Sequence, residues 1–300
     1  SLTQMLERFP DEQSCIDHLT EIRWRNGAYC PYCGSLKVYH YSDGRTHKCG
    51  DCRQKFSIKV GTIFENSKIP LRKWFIAIYI ITSHKKGISS VQLAKDIGVT
   101  QKTAWFINMR LREATRTKAF ISPLKKHVEV DETYVGGKEK NKHKSKRTPG
   151  TQGAGSLKTK AAVVALVQRR AEVRAFHVSD VQQDTLQGLV TGHVALGAAV
   201  STDGNPAYAG LSTFYMHGSV NHVSGEYVSG DTHTNTVEGF FSIVKRGIFG
   251  IYHQVSKKHL QRYLNEFALR YNVRAAPNGD GFVRLLSNCE GRLTYKALIA

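Results

Sequence analysis

The stretch "HVEVDETYVGG", residues 127–137, concentrates three acids in a chain whose formal net charge is +19. If it forms a strand, alternation puts Val128 and Val130 on one face and Glu129 and Asp131 on the other. One face is then buried and the other carries carboxylates. A further acid, Asp203, ends the apolar run "AAVSTD" before a Gly-Asn-Pro turn, and strand ends are where open α/β sheets place their ligands.

A third candidate, Glu238, lies in "HTNTVEGFF", in the first turn of a predicted helix. If Asp131, Asp203 and Glu238 converge, each pair costs about 1–4 kcal/mol of repulsion at roughly 4 Å unless a cation is present. Oxygen ligands select Mg²⁺ or Mn²⁺, and two such ions about 3.5–4 Å apart can clamp the attacking and leaving oxygens of a phosphodiester. Taken singly, each acid also has an ordinary explanation. Asp131 could be a surface group at a strand end, Asp203 a turn residue that hydrogen-bonds its own backbone, and Glu238 a favourable charge at a helix N-terminus.

Three other acids near these positions are weaker candidates. Glu129 is a possible partner behind the ligand set, whereas Glu132 and Asp231 are expected to be exposed. Another acid, Glu266, competes with Glu238 for the third position. Because the apolar spacing around Glu266 is typical of a packing helix, it is the weaker competitor.

Four of the six cysteines form two C-x-x-C pairs, Cys30 with Cys33 and Cys49 with Cys52. This spacing favours a four-thiolate zinc site over a disulfide framework, which would also need an oxidising compartment. Four thiolates close the tetrahedron, so we expect a structural ion rather than a catalytic one. Zinc binding of roughly 10–16 kcal/mol would fold so small a unit. Unligated thiols on a hairpin are the alternative.

The composition points to a polyanionic partner. The 300 residues are 41% hydrophobic, which predicts about two domains, and 43 Lys+Arg outnumber 24 Asp+Glu. Nucleic acid is the usual partner of such a chain, although a generally basic surface is the alternative. The longest apolar run is far shorter than the roughly 20 residues that span a bilayer, and no secretory signal is visible. Together with the reducing setting that the cysteine usage indicates, this favours an intracellular protein without a membrane span.

The elements around the cysteines predict a zinc ribbon preceded by a short helix over 11–23, with a hairpin turn at Asp43-Gly44. A helical domain follows, in which Gly98 and Thr100 frame a helix-turn-helix. The first residues of its second helix would face base edges, and two later arginines would suit phosphates; plain helical packing is the alternative. The candidates are Gln101, Lys102, Thr103, Arg110 and Arg112.

Residues 138–160 form a basic, glycine-containing loop that cannot build a core, and Lys144, Lys146 and Arg147 are its candidate DNA contacts. A solvated loop is the alternative. With "KHVEVDETYVGG" in front, the following segments predict three strands, a helix, a further strand and two helices. This order indicates an α/β domain with a mixed sheet.

Several stretches together resemble the IS1595/ISXO2-type insertion-sequence transposases. They are "GTIFENSKIPLRKW", "VEVDETYVGGKEK", "STDGNPAY", "NTVEGFFSIVKRGIFGIYH" and "KKHLQRYLNEFALRYN", and the resemblance covers roughly residues 10–275. It implies a cytoplasmic, nucleoid-associated protein of a prokaryote, with an RNase H-like catalytic domain that carries a DDE triad and follows a zinc ribbon.

By position, Asp131 and Asp203 would hold metal and Glu238 would complete the site. Some relatives carry Asn at this third position, which leaves Asn235, one helical turn before Glu238, as an alternative. Lys245, two helical turns after Glu238, would meet a DNA phosphate beside the metals, unless it is an ordinary exposed lysine. Arg246 is a further candidate for DNA contact.

The resemblance implies a Mg²⁺-dependent polynucleotidyl transferase with two Mg²⁺ or Mn²⁺ ions and one structural Zn²⁺. It would bind terminal inverted repeats, cut the element's ends and join the 3′-hydroxyls to target DNA as a dimer or larger assembly on double-stranded DNA. A non-catalytic zinc-ribbon regulator, such as a domesticated transposase, and a metal-dependent nuclease are the alternatives. The expected segments are a zinc ribbon (1–60), a helix-turn-helix domain (61–122), the catalytic domain (123–276) and a C-terminal segment (277–300).

Overall fold

The computed structural model describes residues 1–116, 122–137, 141–147, 159–221, 224–276 and 280–299. The chain divides into two compact units. One consists of Ser1–Arg116 together with Ala275–Ala300, and the other of Thr117–Arg274. The predicted C-terminal segment is therefore part of the first unit.

The first unit begins with two capped helices and a small antiparallel sheet of order β1-β2-β3. Asp43 closes the predicted hairpin turn, because its Oδ1 accepts from the backbone amides of Arg45 and Thr46, both at 2.9 Å. The sequence predicted the first two strands and missed the third. The elements are α1 (Leu2–Arg8), α2 (Glu12–Arg23), β1 (Val38–His40), β2 (Thr46–Cys49) and β3 (Lys55–Ser57).

Three helices follow: α3 (Leu71–Ser83), α4 (Ser90–Ile97) and α5 (Gln101–Ala114). Gly98 ends α4 with φ +61°, a left-handed conformation that glycine adopts without the strain of a Cβ. Thr100 then caps α5 by accepting from the amide of Thr103 at 3.3 Å. The structure thus contains the predicted pair of helices joined by a tight turn.

The second unit is built on a five-stranded mixed sheet of order β6-β5-β4-β7-β8. The first three strands in sequence pair antiparallel, whereas β7 runs parallel to β4 and β8 parallel to β7. This is the mixed α/β, RNase H-like arrangement that the resemblance implied. The strands are β4 (His127–Val135), β5 (Ala161–Gln168), β6 (Val173–Val178), β7 (Ala199–Asp203) and β8 (Met216–Val220).

Helices cover both faces of this sheet. The core face of β4 buries Val128 and Val130 in one cluster with Leu186 and Val190 of α6 (Gln183–His193). On the other face, α7 (Asn235–Gly247) packs on β4 and β5, and α8 (Lys257–Asn272) packs on β6. The alternation predicted for β4 is confirmed, and it turns Glu129 toward α7.

The chain returns to the first unit in α9 (Asp280–Ser287) and α10 (Tyr295–Ile299). Between these two helices, the backbone carbonyl of Cys289 accepts from the amide of Ile63 at 2.8 Å. Thr62 and Glu290 form an isolated antiparallel bridge beside that bond. These backbone bonds attach the last segment to the start of the helical part.

Candidate active site and zinc centre

Asp131, in the middle of β4, lies beside Asp203, the last residue of the parallel strand β7. The register of β4 and β7 pairs Glu129 with Ser201, and its continuation for two residues brings Asp131 beside Asp203. One carboxylate oxygen from each of Asp131, Asp203 and Glu132 lies within 4.8 Å of the other two. The structure therefore brings together two of the three predicted acids and adds Glu132.

This acidic cluster is electrostatically unfavourable without a cation. Burial raises the pKa of Asp131 to about 8, and the negative charges of Asp203, Glu132 and Glu238 act in the same direction. Oxygen donors this close together fit a hard divalent cation, which neutralises the repulsion among them. Asp131, Glu132 and Asp203 are the side chains of this cluster that could hold such an ion.

The expectation that Glu132 is exposed was wrong. From β4 its side chain points toward the segment after β7, where Oε1 accepts from Asn205 Nδ2 at 2.6 Å and Oε2 accepts from the Tyr208 hydroxyl at 2.8 Å. The backbone amide of Asn205 in turn donates to Asp203 Oδ1 at 3.2 Å. Glu132 thus connects β4 to the turn that carries Asp203. Asp231 is exposed, as expected.

Glu238 lies near the cluster without belonging to it. It is exposed in the first turn of α7, and its Oε1 accepts from the Thr234 hydroxyl at 3.1 Å. Among the described residues it is not one of the three clustered acids, yet its charge helps to raise the pKa of Asp131. Asn235 is exposed at the start of the same helix. Lys245 and Arg246 are exposed in its last turn.

The other predicted competitor, Glu266, has a different environment. It is buried on α8, where it pairs with Arg270 one turn later and accepts from the Tyr252 hydroxyl at 2.7 Å. The ion pair with Arg270 gives Glu266 a structural role in the packing of α8. Glu238 therefore remains the better candidate for the third acid.

The four cysteines of the ribbon converge as predicted. The Sγ atoms of Cys30 and Cys52 are 3.6 Å apart, as are those of Cys33 and Cys49. A tetrahedral zinc with Zn–S bonds of about 2.3 Å requires sulfur separations of about 3.8 Å, so the four thiols fit the ion. The backbone amide of Tyr32 also donates to Cys30 Sγ at 3.4 Å. Such amide donors stabilise thiolates.

Comparison with known families agrees with both centres. The family model of the ISXO2-like transposase domain matches residues 123–272, and that of the transposase zinc-ribbon domain matches residues 10–55. The chain belongs to the ISXO2-like transposase family. A relative from Halobacterium salinarum, "uncharacterized protein in transposable element ISH50", is 32% identical over 293 residues, which cover 94% of this chain and 98% of that protein. The predicted family and fold class are thereby confirmed.

Two solved structures show a weaker likeness to this ISXO2-like transposase. The Mos1 strand transfer complex is 15% identical over 72% of this chain and 81% of that chain, with a TM-score of 0.24. A pre-cleavage Mos1 transpososome is 13% identical over 72% and 82%, with a TM-score of 0.23. These scores are too low to bear on the activity of this transposase.

The predicted base-contacting residues lie at the start of α5. Gln101 and Lys102 are exposed and Thr103 is half-buried. Gln101 Nε2 donates to the hydroxyl of Ser90 on α4 at 2.8 Å, which orients the amide at the helix surface. The geometry is compatible with the predicted contacts to base edges, which remain a prediction.

The structure contradicts the predicted phosphate contacts of Arg110 and Arg112. Arg110 is buried, and its guanidinium donates to the carbonyl oxygens of Leu293 at 3.1 Å and Ile63 at 2.7 Å. Arg112 is only 1% exposed. The first unit encloses the second half of α5, so both side chains serve its interior.

The basic loop of this transposase is described only in part. Lys144, Lys146 and Arg147 are exposed in and after a short 3-10 turn, and Arg147 Nε donates to the carbonyl of Lys142 at 3.0 Å. The predicted loop residues 138–140 and 148–158 lie outside the described residues. In the part of the chain that the structure describes, none of the helices is long and apolar enough to cross a membrane.

Proposed function

We propose that this transposase cuts the ends of its own element and joins the freed 3′-hydroxyls to target DNA, using Asp131, Asp203 and Glu238 as its catalytic carboxylates. One observation carries the proposal: Asp131 of β4 and Asp203 at the end of the parallel strand β7 lie side by side, with carboxylate oxygens within 4.8 Å of each other. Carboxylates this close are costly without a cation, and this arrangement suits a hard divalent ion.

Mg²⁺ or Mn²⁺ held by these carboxylates would supply Lewis-acid polarisation of the scissile phosphate and stabilise the attacking and leaving oxygens. The protein's part is to hold Asp131 and Asp203 in place through strand register and through the bond from Asn205 to Asp203. Glu238 approaches from α7 to complete the ligand set. Lys245, exposed two turns further along α7, supplies a positive charge to a DNA phosphate.

The reaction consists of two in-line displacements at phosphorus. In the first, water attacks the phosphodiester at the element's end, the bond to the 3′-oxygen breaks, and a 3′-hydroxyl is released. In the second, that hydroxyl attacks a target phosphodiester, a new phosphorus–oxygen bond forms and the target's 3′-oxygen leaves. Each nucleophile comes from water or DNA, so the enzyme forms no covalent intermediate.

The first unit supplies recognition in this proposal. Its four-cysteine ribbon is held by one structural Zn²⁺, and Gln101, Lys102 and Thr103 at the start of α5 contact the terminal repeats. Arg246 and the exposed basic loop residues Lys144, Lys146 and Arg147 add phosphate contacts that weaken as salt rises. Because two ends must be joined, the active form is a homodimer or larger assembly on DNA.

A strand-transfer assay tests the proposal. Labelled DNA ends from the flanks of the gene are incubated with supercoiled target and Mg²⁺, and the unmodified protein is compared with Glu238→Gln. Glu226→Gln is the matched control, because Glu226 is an exposed glutamate in the same unit. We expect joined product from the unmodified protein and the control, and a loss of at least about a hundredfold in Glu238→Gln.

The other outcomes separate the alternatives. End cleavage without joining by the unmodified protein would identify a nuclease. Tight, salt-sensitive DNA binding with no cleavage in Mg²⁺ or Mn²⁺ would overturn the enzymatic proposal and identify a DNA-binding regulator. Full joining by Glu238→Gln would remove Glu238 from the catalytic set and leave the transposase activity in place.

A further inference from the structure

Glu129 is a fully buried carboxylate, 0% exposed, on the same strand face as Asp131. We propose that Glu129, clamped by Arg169, is a positioning residue that holds Glu238 of α7 at the Asp131–Asp203 site. The inference rests on the proposed function and adds residues that contact neither metal nor DNA.

Glu129 caps α7 from outside the helix. Its Oε2 accepts from the backbone amides of Thr236 at 2.7 Å and Val237 at 3.1 Å, and its Oε1 accepts from the Thr236 hydroxyl at 2.8 Å. Amides in the first turn of a helix need partners from outside it, and their partial positive charge favours an anion. Glu238 is the next residue after Val237, so the Glu129 carboxylate binds the helical turn that carries Glu238, the third proposed catalytic acid.

Arg169, which follows β5, holds the carboxylate in place. Its Nε donates to Glu129 Oε1 at 2.6 Å, and its Nη2 donates to the carbonyl of His233 at 3.3 Å. The same guanidinium lies 3.1 Å from His127 Nδ1, and the other ring nitrogen of His127 is 2.7 Å from the hydroxyl of Ser201. These contacts link β4, β7 and the residues before α7.

Few residues separate the Glu129–Arg169 pair from the proposed catalytic acids. Glu129 stands two residues before Asp131 on β4, and its partner Val237 stands one residue before Glu238 on α7. The distance between Asp131 and Glu238 therefore depends on the short stretch of β4 from Glu129 to Asp131 and on the bond from the Glu129 carboxylate to Val237. Burying a carboxylate costs desolvation free energy, and the ion pair with Arg169 and the bonds from the helix amides offset that cost for Glu129. Residues behind a ligand set commonly control metal affinity by about 10–100-fold.

The chain offers a matched control for a purely structural role. Glu266 and Arg270 form a second buried Glu–Arg pair in the same unit, on α8, away from the acidic cluster. Loss of either pair is expected to destabilise the unit. Only loss of the Glu129 clamp should alter how the protein binds a divalent ion.

The experiment uses the full chain and Mn²⁺ as the probe. Electron paramagnetic resonance gives the half-saturating Mn²⁺ concentration without DNA, and the strand-transfer assay is run in Mg²⁺ and in Mn²⁺. The variants are Glu129→Gln, Thr236→Val as a milder change that keeps the carboxylate, and Glu266→Gln as the control. Asp131→Asn defines the signal that belongs to the cluster.

We expect Glu129→Gln to raise the half-saturating Mn²⁺ concentration by at least about tenfold and to lower strand transfer in Mg²⁺ by a similar factor, with partial recovery in excess Mn²⁺. Thr236→Val should give a smaller shift of the same sign, roughly two- to fivefold, and it also serves if Glu129→Gln does not fold. Glu266→Gln should lower the melting temperature and leave the half-saturating concentration unchanged.

Equal shifts in Glu129→Gln and Glu266→Gln, or unchanged Mn²⁺ binding in both clamp variants, would overturn the inference. Mn²⁺ binding is measured without catalysis, so the binding data test the role of Glu129 independently of the proposed function. If the protein binds Mn²⁺ through Asp131 but transfers no strands, the proposed function is wrong, and the Mn²⁺ affinities of the variants still test the role of Glu129.

Discussion

Asp131 and Asp203 occupy matching positions on the adjacent parallel strands β4 and β7, each two residues beyond the last paired residues, Glu129 and Ser201. Sheet pairing rather than loop conformation thus sets the separation of the two acids. A slip of one residue in either strand would move one carboxylate to the opposite face of the sheet. The cluster is therefore fixed when the sheet forms, before any ion binds.

This relationship predicts that Asp131→Asn stabilises the metal-free protein. The change removes one of the clustered charges, so we expect the free energy of unfolding of the second unit to rise by about 1 kcal/mol or more at pH 8 in chelator. Chemical denaturation with and without Mg²⁺ measures the effect. Mg²⁺ should stabilise the unmodified protein and leave Asp131→Asn nearly unchanged.

The pH dependence of the metal-free protein follows from the same residue. The pKa of Asp131 is about 8 in the folded protein against 3.8 for an ordinary aspartate, so the folded state binds the proton more tightly. Stability contributed by that proton is present below about pH 4 and is lost as pH rises toward 8. Asp131→Asn should flatten this slope. An equally steep fall in the variant would assign the slope to other groups.

A second prediction concerns Tyr208, whose buried hydroxyl donates to Glu132 Oε2 at 2.8 Å. Tyr208→Phe leaves that oxygen short of a donor in a half-buried acidic cluster and should cost about 1–3 kcal/mol of stability. It also removes a bond that lowers the pKa of Glu132, so that pKa should rise further. We expect strand transfer to fall because the segment after Asp203 loses one of its two bonds to Glu132 of β4, with only the bond from Asn205 remaining.

Tyr215→Phe is the control for this change. Tyr215 belongs to the same core cluster, and its hydroxyl donates to the carbonyl of Val194 at 3.2 Å. Its loss should cost about 0.5–1.5 kcal/mol and leave strand transfer per folded molecule unchanged. Equal activity losses in the two variants would show that Tyr208 acts only through stability.

Local patterns in the sequence predict much of this fold. Alternation defines β4, and the apolar runs define β5, β6 and β7. The strand β8 escapes such analysis, because "MHGSV" is polar, partly exposed and held chiefly by its parallel pairing with β7. Strand-end position singles out Asp203, and alternation places Asp131 on the strand face opposite the apolar one; their proximity then follows from register.

The errors concern side chains whose partners are distant in sequence. Glu132 bonds residues 73 and 76 positions away, so neither its burial nor its place in the cluster has a local signal. Arg110 was expected to contact a phosphate because it follows the candidate base-contacting residues on the second helix of the predicted helix-turn-helix. Its acceptors, Ile63 and Leu293, are 47 positions before it and 183 after it. Only tertiary packing reveals such carbonyl acceptors.

A third prediction is that Cys33→Ser abolishes zinc binding and unfolds the ribbon. Zinc binding contributes roughly 10–16 kcal/mol to folding of such units, far more than so small a core supplies. Trp24 reports the loss, because its ring centroid lies 4.7 Å from that of His47 and its side chain packs against the ribbon core. Metal analysis and near-ultraviolet circular dichroism measure the two effects.

Cys15→Ala is the matched control for the zinc site. Cys15 is buried on α2 and is not one of the four clustered cysteines. This variant should retain zinc and the Trp24 signal at a modest cost in stability. Retention of both by Cys33→Ser instead would contradict a four-thiolate site.

The last prediction separates the surface of α5 from its interior. Lys102 is exposed, and its Nζ lies 6.0 Å from the ring centroid of Tyr295, a contact worth about 0.5–1 kcal/mol at a surface. If Lys102 contacts a phosphate, Lys102→Ala should weaken binding to terminal-repeat DNA and reduce the salt slope by about 1. Fluorescence anisotropy between about 50 and 200 mM salt measures both.

Arg112→Met should behave in the opposite way. Arg112 is enclosed by the first unit, so its replacement should lower the melting temperature of that unit while the salt slope of folded protein stays the same. The pair of variants therefore distinguishes a charge that meets DNA from one that serves packing. If the salt dependence of DNA binding is unchanged in Lys102→Ala but reduced in Arg112→Met, then Arg112 rather than Lys102 contacts DNA.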